Sequence, residues 1–159
     1  MSQILRPILV ECKPDEVLIR ALGVPRRRIF HHSGKGNICN RLRRLKNAIA
    51  IMDEDPHSSQ PRYLRELMSS VAEEGAHQIR VLRDDERGHL ILILRPRLEG
   101  WILHVARRNG IRPQSFGLPD QEEALHGEMI YKLPDLERWI RQLKEAGSEE
   151  LEFLRRWLE

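Results

Sequence analysis

The sequence predicts an α/β fold: a mostly parallel open sheet flanked by helices and finished by a C-terminal helical layer. Three observations predict it. Apolar runs of strand length alternate with helical patterns through residue 108, as successive β–α–β units do. The clearest runs, Ile8-Leu9-Val10 and Ala48-Ile49-Ala50-Ile51-Met52, are continuously apolar and stop abruptly at carboxylates, as strands buried on both faces do. Beyond residue 133 only amphipathic helical patterns remain.

Taken in order, Ile8-Leu9-Val10 follows Pro7 and ends at Glu11. Pro14 suits a first helical turn, and Asp15 and Glu16 suit its positive end, so a helix runs from there through Leu22 and closes at Gly23. Ile29-Phe30-His31 is a weaker strand leading into a turn at Ser33-Gly34-Lys35-Gly36. Over residues 37–46, Ile38, Leu42 and Leu45 recur at helical spacing, with arginines on the other faces. The third strand, residues 48–52, runs into Asp53-Glu54-Asp55-Pro56.

Residues 57–61 read as a polar loop and 63–73 as a helix. Residues 78–82 and 90–94 read as two strands joined by a charged turn at 84–88. Residues 99–107 look helical and stop at Asn109-Gly110, whereas 118–127 fit neither pattern cleanly. Residues 135–146 and 149–158 are amphipathic helices split by Gly147-Ser148; Leu136, Ile140 and Leu143 form a stripe, with Trp139 beside it, that reads as core. The organisation expected is an α/β domain over residues 1–117 and a helical extension over 118–159 packed on it.

A length of 159 residues with 40% hydrophobic content supports one folded domain with a small appendage and excludes wholesale disorder. The longest apolar runs fall far short of the ~20 residues that span a bilayer, so no membrane partner is expected. No basic stretch followed by a long apolar core opens the sequence, so no signal peptide is read there. Cys12 and Cys39 match neither a metal-ligand spacing nor a disulfide framework, and a reducing cytoplasm is the compartment they suit.

The formal net charge of +3 conceals an asymmetry: residues 1–50 carry +8 and residues 51–159 carry −5. The densest basic clusters are Arg26-Arg27-Arg28 and Arg41, Arg43, Arg44 and Lys46, with Lys13 and Lys35 nearby. Such a segment attracts phosphate backbones. Phe30 alone among the aromatics interleaves with it, so the sequence indicates no base-stacking platform.

Glu11 follows the first strand, and Asp53 and Asp55 follow the third. Ligands of open α/β sheets bind at the carboxyl ends of strands, so neighbouring strands would bring these acids to one site. In an extended segment residues i and i+2 point the same way, which lets Asp53 and Asp55 share a cation while Glu54 turns aside. All-oxygen ligands suit a hard ion, Mg2+ or Mn2+. Asp15, one helical turn beyond Glu11, is placed to hold a second ion or its water.

The segment Ile8-Leu9-Val10-Glu11-Cys12-Lys13-Pro14-Asp15-Glu16, followed by Ile49-Ala50-Ile51-Met52-Asp53-Glu54-Asp55, resembles the Toprim domain. That domain occurs in topoisomerases, bacterial primases, certain recombination-repair proteins and the overcoming-lysogenization-defect nucleases. The resemblance covers about residues 4–110. His32-Ser33-Gly34-Lys35-Gly36-Asn37 and Leu98-Glu99-Gly100-Trp101 resemble most the small Toprim-like proteins related to those nucleases. The resemblance implies Glu11, Asp53 and Asp55 as ligands of a first metal, Glu11 also as general acid or base, and Asp15 with Glu99 for a second. Cys12 stands where the family usually has glycine.

The resulting expectation is a Mg2+- or Mn2+-dependent nuclease acting on DNA or RNA, with the Arg26–Lys46 segment gripping the phosphate backbone without reading bases. The alternative is a non-catalytic Toprim-like module binding nucleic acid or a partner ATPase in a defence or repair complex. Gly34-Lys35-Gly36 does not match the longer phosphate-loop pattern, so neither nucleotide-triphosphate hydrolysis nor phosphotransfer from a nucleotide is indicated.

Overall fold

The computed structural model describes residues 5–70 and 74–159. Its centre is a six-stranded mixed sheet, mostly parallel, with seven α-helices among the described residues. The strands are β1 (Ile8–Val10), β2 (Ile29–His31), β3 (Ile49–Asp53), β4 (Glu74–Ala76), β5 (Ile79–Asp84) and β6 (His89–Leu94), in the order β2-β1-β3-β6-β5-β4. The first four in that order are parallel, while β5 pairs antiparallel with both β6 and β4. The strands predicted at 78–82 and 90–94 thus form a hairpin, and β4 is an edge strand that the sequence reading missed.

Alternation along each central strand builds a core on each face of the sheet. Ile8, Val10, Ile49, Ile51, Leu92 and Leu94 face one side. There they meet α1 (Lys13–Ala21), α4 (Leu98–Asn109), α6 (Leu133–Glu145) and α7 (Glu149–Trp157). Leu9, Ala50, Met52, Ile91 and Ile93 face the other, against α2 (Gly34–Leu42) and α3 (Arg62–Ser70). Both faces being covered, the parallel strands read as unbroken apolar runs. Buried His89 ties the second layer to the sheet: its Nδ1 accepts the Ala48 N–H and its Nε2 donates to the Leu42 carbonyl.

The α2 helix begins at Gly34 rather than at residue 37. Gly34 has φ +80, a value glycine adopts freely, so the predicted turn is absorbed into the first turn of the helix. The helix ends at Leu42, not 46, because Arg44 and Leu45 both bond back to the Arg41 carbonyl and Asn47 takes φ +55 to enter β3. The helix predicted at 63–73 ends at Ser70, and residues 71–73 lie outside the described residues. The ambiguous stretch holds α5 (Glu122–Glu128), and 3-10 turns occupy Arg26–Arg28, Pro113–Phe116 and Met129–Tyr131.

After β1 the chain moves outward to β2, and then crosses back over β1 to β3. The helix α1 lies on one face and α2 on the other. That reversal opens a crevice at the carboxyl ends of β1 and β3, where open α/β sheets bind ligands.

Candidate functional site

Glu11 leaves the end of β1 and Asp53 is the last residue of β3, so both stand at this crevice. The Asp53 N–H approaches Glu11 Oε1 at 3.4 Å. Asp15, in the first turn of α1, is 2% exposed and accepts the Cys12 thiol at 3.3 Å. Glu99, in the first turn of α4, is equally buried; its Oε1 meets His126 Nδ1 at 2.8 Å, while its buried Oε2 has no hydrogen-bond partner. Arg97 Nε stands 3.7 Å from that second oxygen, beyond bonding reach, and bonds instead to Glu122 at 2.8 Å.

These carboxyl groups repel one another in a dry setting. Burial, then the charges of Asp15, Glu11 and Glu99, push Asp53 up to about 8, although the Leu98 N–H pulls the other way. Burial, with Glu11 and Glu99, pushes Asp15 up to about 7 against the Cys12 thiol bond. Glu11 is raised as well, chiefly by burial, with Lys35 opposing and Asp55 adding to the rise. Burial and like charges act together here, as they do at functional carboxylates.

Asp55 sits differently from its prediction. The strand ends at Asp53, and the Glu54 and Asp55 N–H groups bond to the Leu94 and Pro96 carbonyls. Asp55 itself takes φ +44, a left-handed conformation that aspartate tolerates better than most residues. The i, i+2 argument of an extended chain therefore does not apply, and its carboxylate lies 3.7 Å from Lys35 Nζ. Among the described residues no three His, Cys, Asp or Glu side chains stand together closely enough to hold a metal ion. The donor set is nonetheless all oxygen, and the orphaned Glu99 Oε2 and the raised Asp15 and Asp53 are groups that a hard cation would satisfy.

The predicted basic residues divide in two. Arg28 is 8% exposed and donates Nε to the Arg6 carbonyl, so it is a structural residue and not a phosphate contact. Lys35 also turns inward, donating to the Glu54 carbonyl at 2.7 Å and to Gln60. Lys13 and Arg26 are exposed but lean on Glu16, at 3.5 and 3.9 Å. Arg27, Arg41, Arg43, Arg44 and Lys46 are exposed. Arg41, Arg43 and Arg44 line an open cleft of about 540 Å³ between β2 and α2, shared with His31, His32 and Asn37.

Sequence reasoning missed His126 and Arg97, which hold Glu99 and α5 together. It also missed Glu16, whose buried carboxylate holds His31 at 2.9 Å. Only Arg97 carried a signal, by adjoining the Leu98-Glu99 segment. No protein-family model matches the chain, and no curated protein or solved structure matches it either.

Proposed function

We propose that the protein is a Toprim-like, divalent-metal-dependent nuclease that cleaves phosphodiesters of DNA or RNA in the cytoplasm. Residues 1–117 would carry the carboxyl groups of the site, and residues 118–159 would form the helical layer packed on that domain, from which His126 reaches Glu99. The observation that carries this reading is the meeting of Glu11 and Asp53 at the carboxyl ends of the neighbouring strands β1 and β3, with buried Asp15 in the first turn of α1 raised by burial and by Glu11. Repulsive buried carboxyl groups cost stability unless something cationic joins them.

Glu11, Asp53, Asp15 and Glu99 are the residues that would hold Mg2+ or Mn2+, with Asp55 at the border beside Lys35. A bound ion supplies charge neutralisation at the phosphate and at the attacking and leaving oxygens. The chain itself supplies the rest. The Leu98 N–H fixes the Asp53 carboxylate, and His126 fixes Glu99. Glu11, raised chiefly by burial yet incompletely buried, is the group placed to hold or release a proton. The exposed arginines of the β2–α2 cleft hold the backbone.

One observation favours the second reading, a non-catalytic module that binds nucleic acid or a partner ATPase. The Cys12 thiol occupies the place of the family's glycine and already engages Asp15. Calorimetric titration with Mn2+, then cleavage assays on plasmid, single-stranded DNA and RNA, separates the two. Binding with turnover that disappears in Asp53→Ala/Asp55→Ala supports the nuclease. Binding without turnover supports the module, and undiminished cleavage by the double variant removes the assignment.

A further inference from the structure

We propose that the cleft between β2 and α2 is a track for single-stranded nucleic acid, with Phe30 as the surface on which a base stacks. This rests on the nucleic-acid reading above and adds the strandedness of the substrate and the residue that selects it. One aromatic among many arginines makes no pattern, so no stacking surface is expected from the sequence. The register of β2 supplies the reason to expect one.

Phe30 pairs with Leu9, so the two side chains share a sheet face. Leu9 packs there against Ile38 and Leu42 of α2. Phe30 therefore stands on the α2 side of the sheet. β2 is the outermost strand of the sheet among the described residues, and the ring is 48% exposed. Phe30 does not itself line the cleft but precedes His31, which does, so its ring is left in water at the cleft's edge, a placement that base stacking uses.

The cleft's charge points to a polyanion. None of its lining residues is acidic. Some arginines elsewhere are neutralised: Arg141 and Arg155 each lie within 3 Å of a glutamate, at 2.9 and 2.8 Å. Arg41 and Arg44 have no such partner among the described residues, and Arg43 lies over the Tyr63 ring at 5.7 Å. Glu16 is engaged by His31, Lys13 and Arg26, which keeps its charge from opposing a phosphate.

Placement links the cleft to the carboxylates. β1 and β2 are parallel, and the His32 N–H bonds to the Val10 carbonyl at 2.9 Å, so the mouth of the cleft is level with Glu11. A strand lying along His32 and Arg41 would continue toward the crevice. A duplex keeps its bases stacked inward and cannot offer one to a ring on a sheet edge, whereas a single strand can.

The test is fluorescence anisotropy in EDTA, so that binding is read without divalent cation or cleavage. The probes are a labelled oligo(dT) of about twenty nucleotides, longer than a typical binding-site size, a duplex of the same length, and labelled poly-glutamate. The oligo(dT) is expected to bind more tightly than the duplex. Phe30→Ala should weaken oligo(dT) binding by about tenfold or more and leave the duplex nearly unchanged, the range set by loss of one base stack. Phe30→Tyr keeps the ring and should restore binding, which separates stacking from misfolding. Arg41→Ala with Arg44→Ala should weaken both nucleic acids and flatten their salt dependence. Equal oligo(dT) binding by Phe30→Ala, or a preference for duplex, overturns this inference and leaves the nucleic-acid reading standing. Failure of both nucleic acids to bind, with or without capture of poly-glutamate, overturns the two together.

Discussion

The backbone N–H of Leu98 donates to Asp53 Oδ1 at 2.9 Å, joining the end of β3 to the first turn of α4 across 45 residues of sequence. A carboxylate at a helix N-terminus is normally stabilised in its charged form. Here burial and the neighbouring acids outweigh that bond, and Asp53 stands at about 8. The same residue thus fastens the fold together and strains its charge balance.

A pH dependence follows. Asp15 at about 7 and Asp53 at about 8 stay protonated in the fold where the unfolded chain would ionise, above about 4. The folded state then binds more protons than the unfolded state, so stability falls as pH rises from about 4 through the folded values, by at most about 1.4 kcal/mol per group per pH unit. Below about 4 both states are protonated and the contribution is fully present. In EDTA, denaturation midpoints should drop between pH 5.5 and pH 8, values chosen inside that window. Asp53→Asn should flatten the curve, and Mn2+ at the higher pH should restore stability. A flat profile for the parent protein would show that these carboxyl groups do not repel.

Cys12 offers a second handle. Its backbone is extended, at φ −150 and ψ 172, so its geometry makes no demand for glycine. Cys12→Gly would cost only the entropy of a freer chain, roughly 0.5–1 kcal/mol. It would also release Asp15 from the thiol. Mn2+ affinity measured by calorimetry should rise several-fold in Cys12→Gly and stay near the parent value in Cys12→Ser, whose hydroxyl can replace the thiol's bond. No gain in Cys12→Gly would mean that the thiol does not hinder the cation.

What was legible in the sequence was what local periodicity encodes. Ile8-Leu9-Val10 and Ile49–Met52 announce buried strands because every residue there is covered on one face or the other. Glu11 and Asp53 could be placed together because strand ends in such sheets converge. Asp55 was misread because the extended rule assumes β geometry, and a left-handed residue cannot be seen from its neighbours. Arg28 was misread because a run of three arginines gives no sign of which one turns inward to the Arg6 carbonyl. His126 was invisible because its role depends on α5 folding back over α4, a contact between residues 27 apart.

The C-terminal helices should be integral to stability. Trp139 is fully buried, shares its core with Ile8, Val10 and Leu18, and donates Nε1 to the Ile111 carbonyl at 3.1 Å. Trp139→Ala should cost about 3–5 kcal/mol in chemical unfolding, and Trp139→Phe less. The phenylalanine loses the bond but keeps most of the contact. A chain ending at residue 117 would expose the α1 side of the sheet and should lose its cooperative transition. If it instead unfolds cooperatively, the helical segment is a separate unit and not part of this core.

Far from the carboxylate crevice, Tyr63 on α3 donates its hydroxyl to Asp84 Oδ2 at 2.6 Å, and Arg87 Nη1 reaches the same oxygen at 3.1 Å. Burial alone would raise Asp84, which is only 4% exposed, but the bonds from Tyr63 and Arg87 hold it below the usual carboxylate range. Its folded value being depressed, the stability it contributes is present above about 4, the unfolded value, and is lost as pH falls through the folded one. Tyr63→Phe removes one of those bonds from a buried charge and should cost about 1–3 kcal/mol near neutral pH. At a pH low enough to protonate the carboxyl group in the fold as well as in the unfolded chain, the same substitution should cost less. Thermal unfolding of parent and variant at the two pH values reads the difference directly. An equal loss at both would mean that the ring's packing against the second core, and not the hydroxyl's bond to a charged carboxylate, is what Tyr63 contributes.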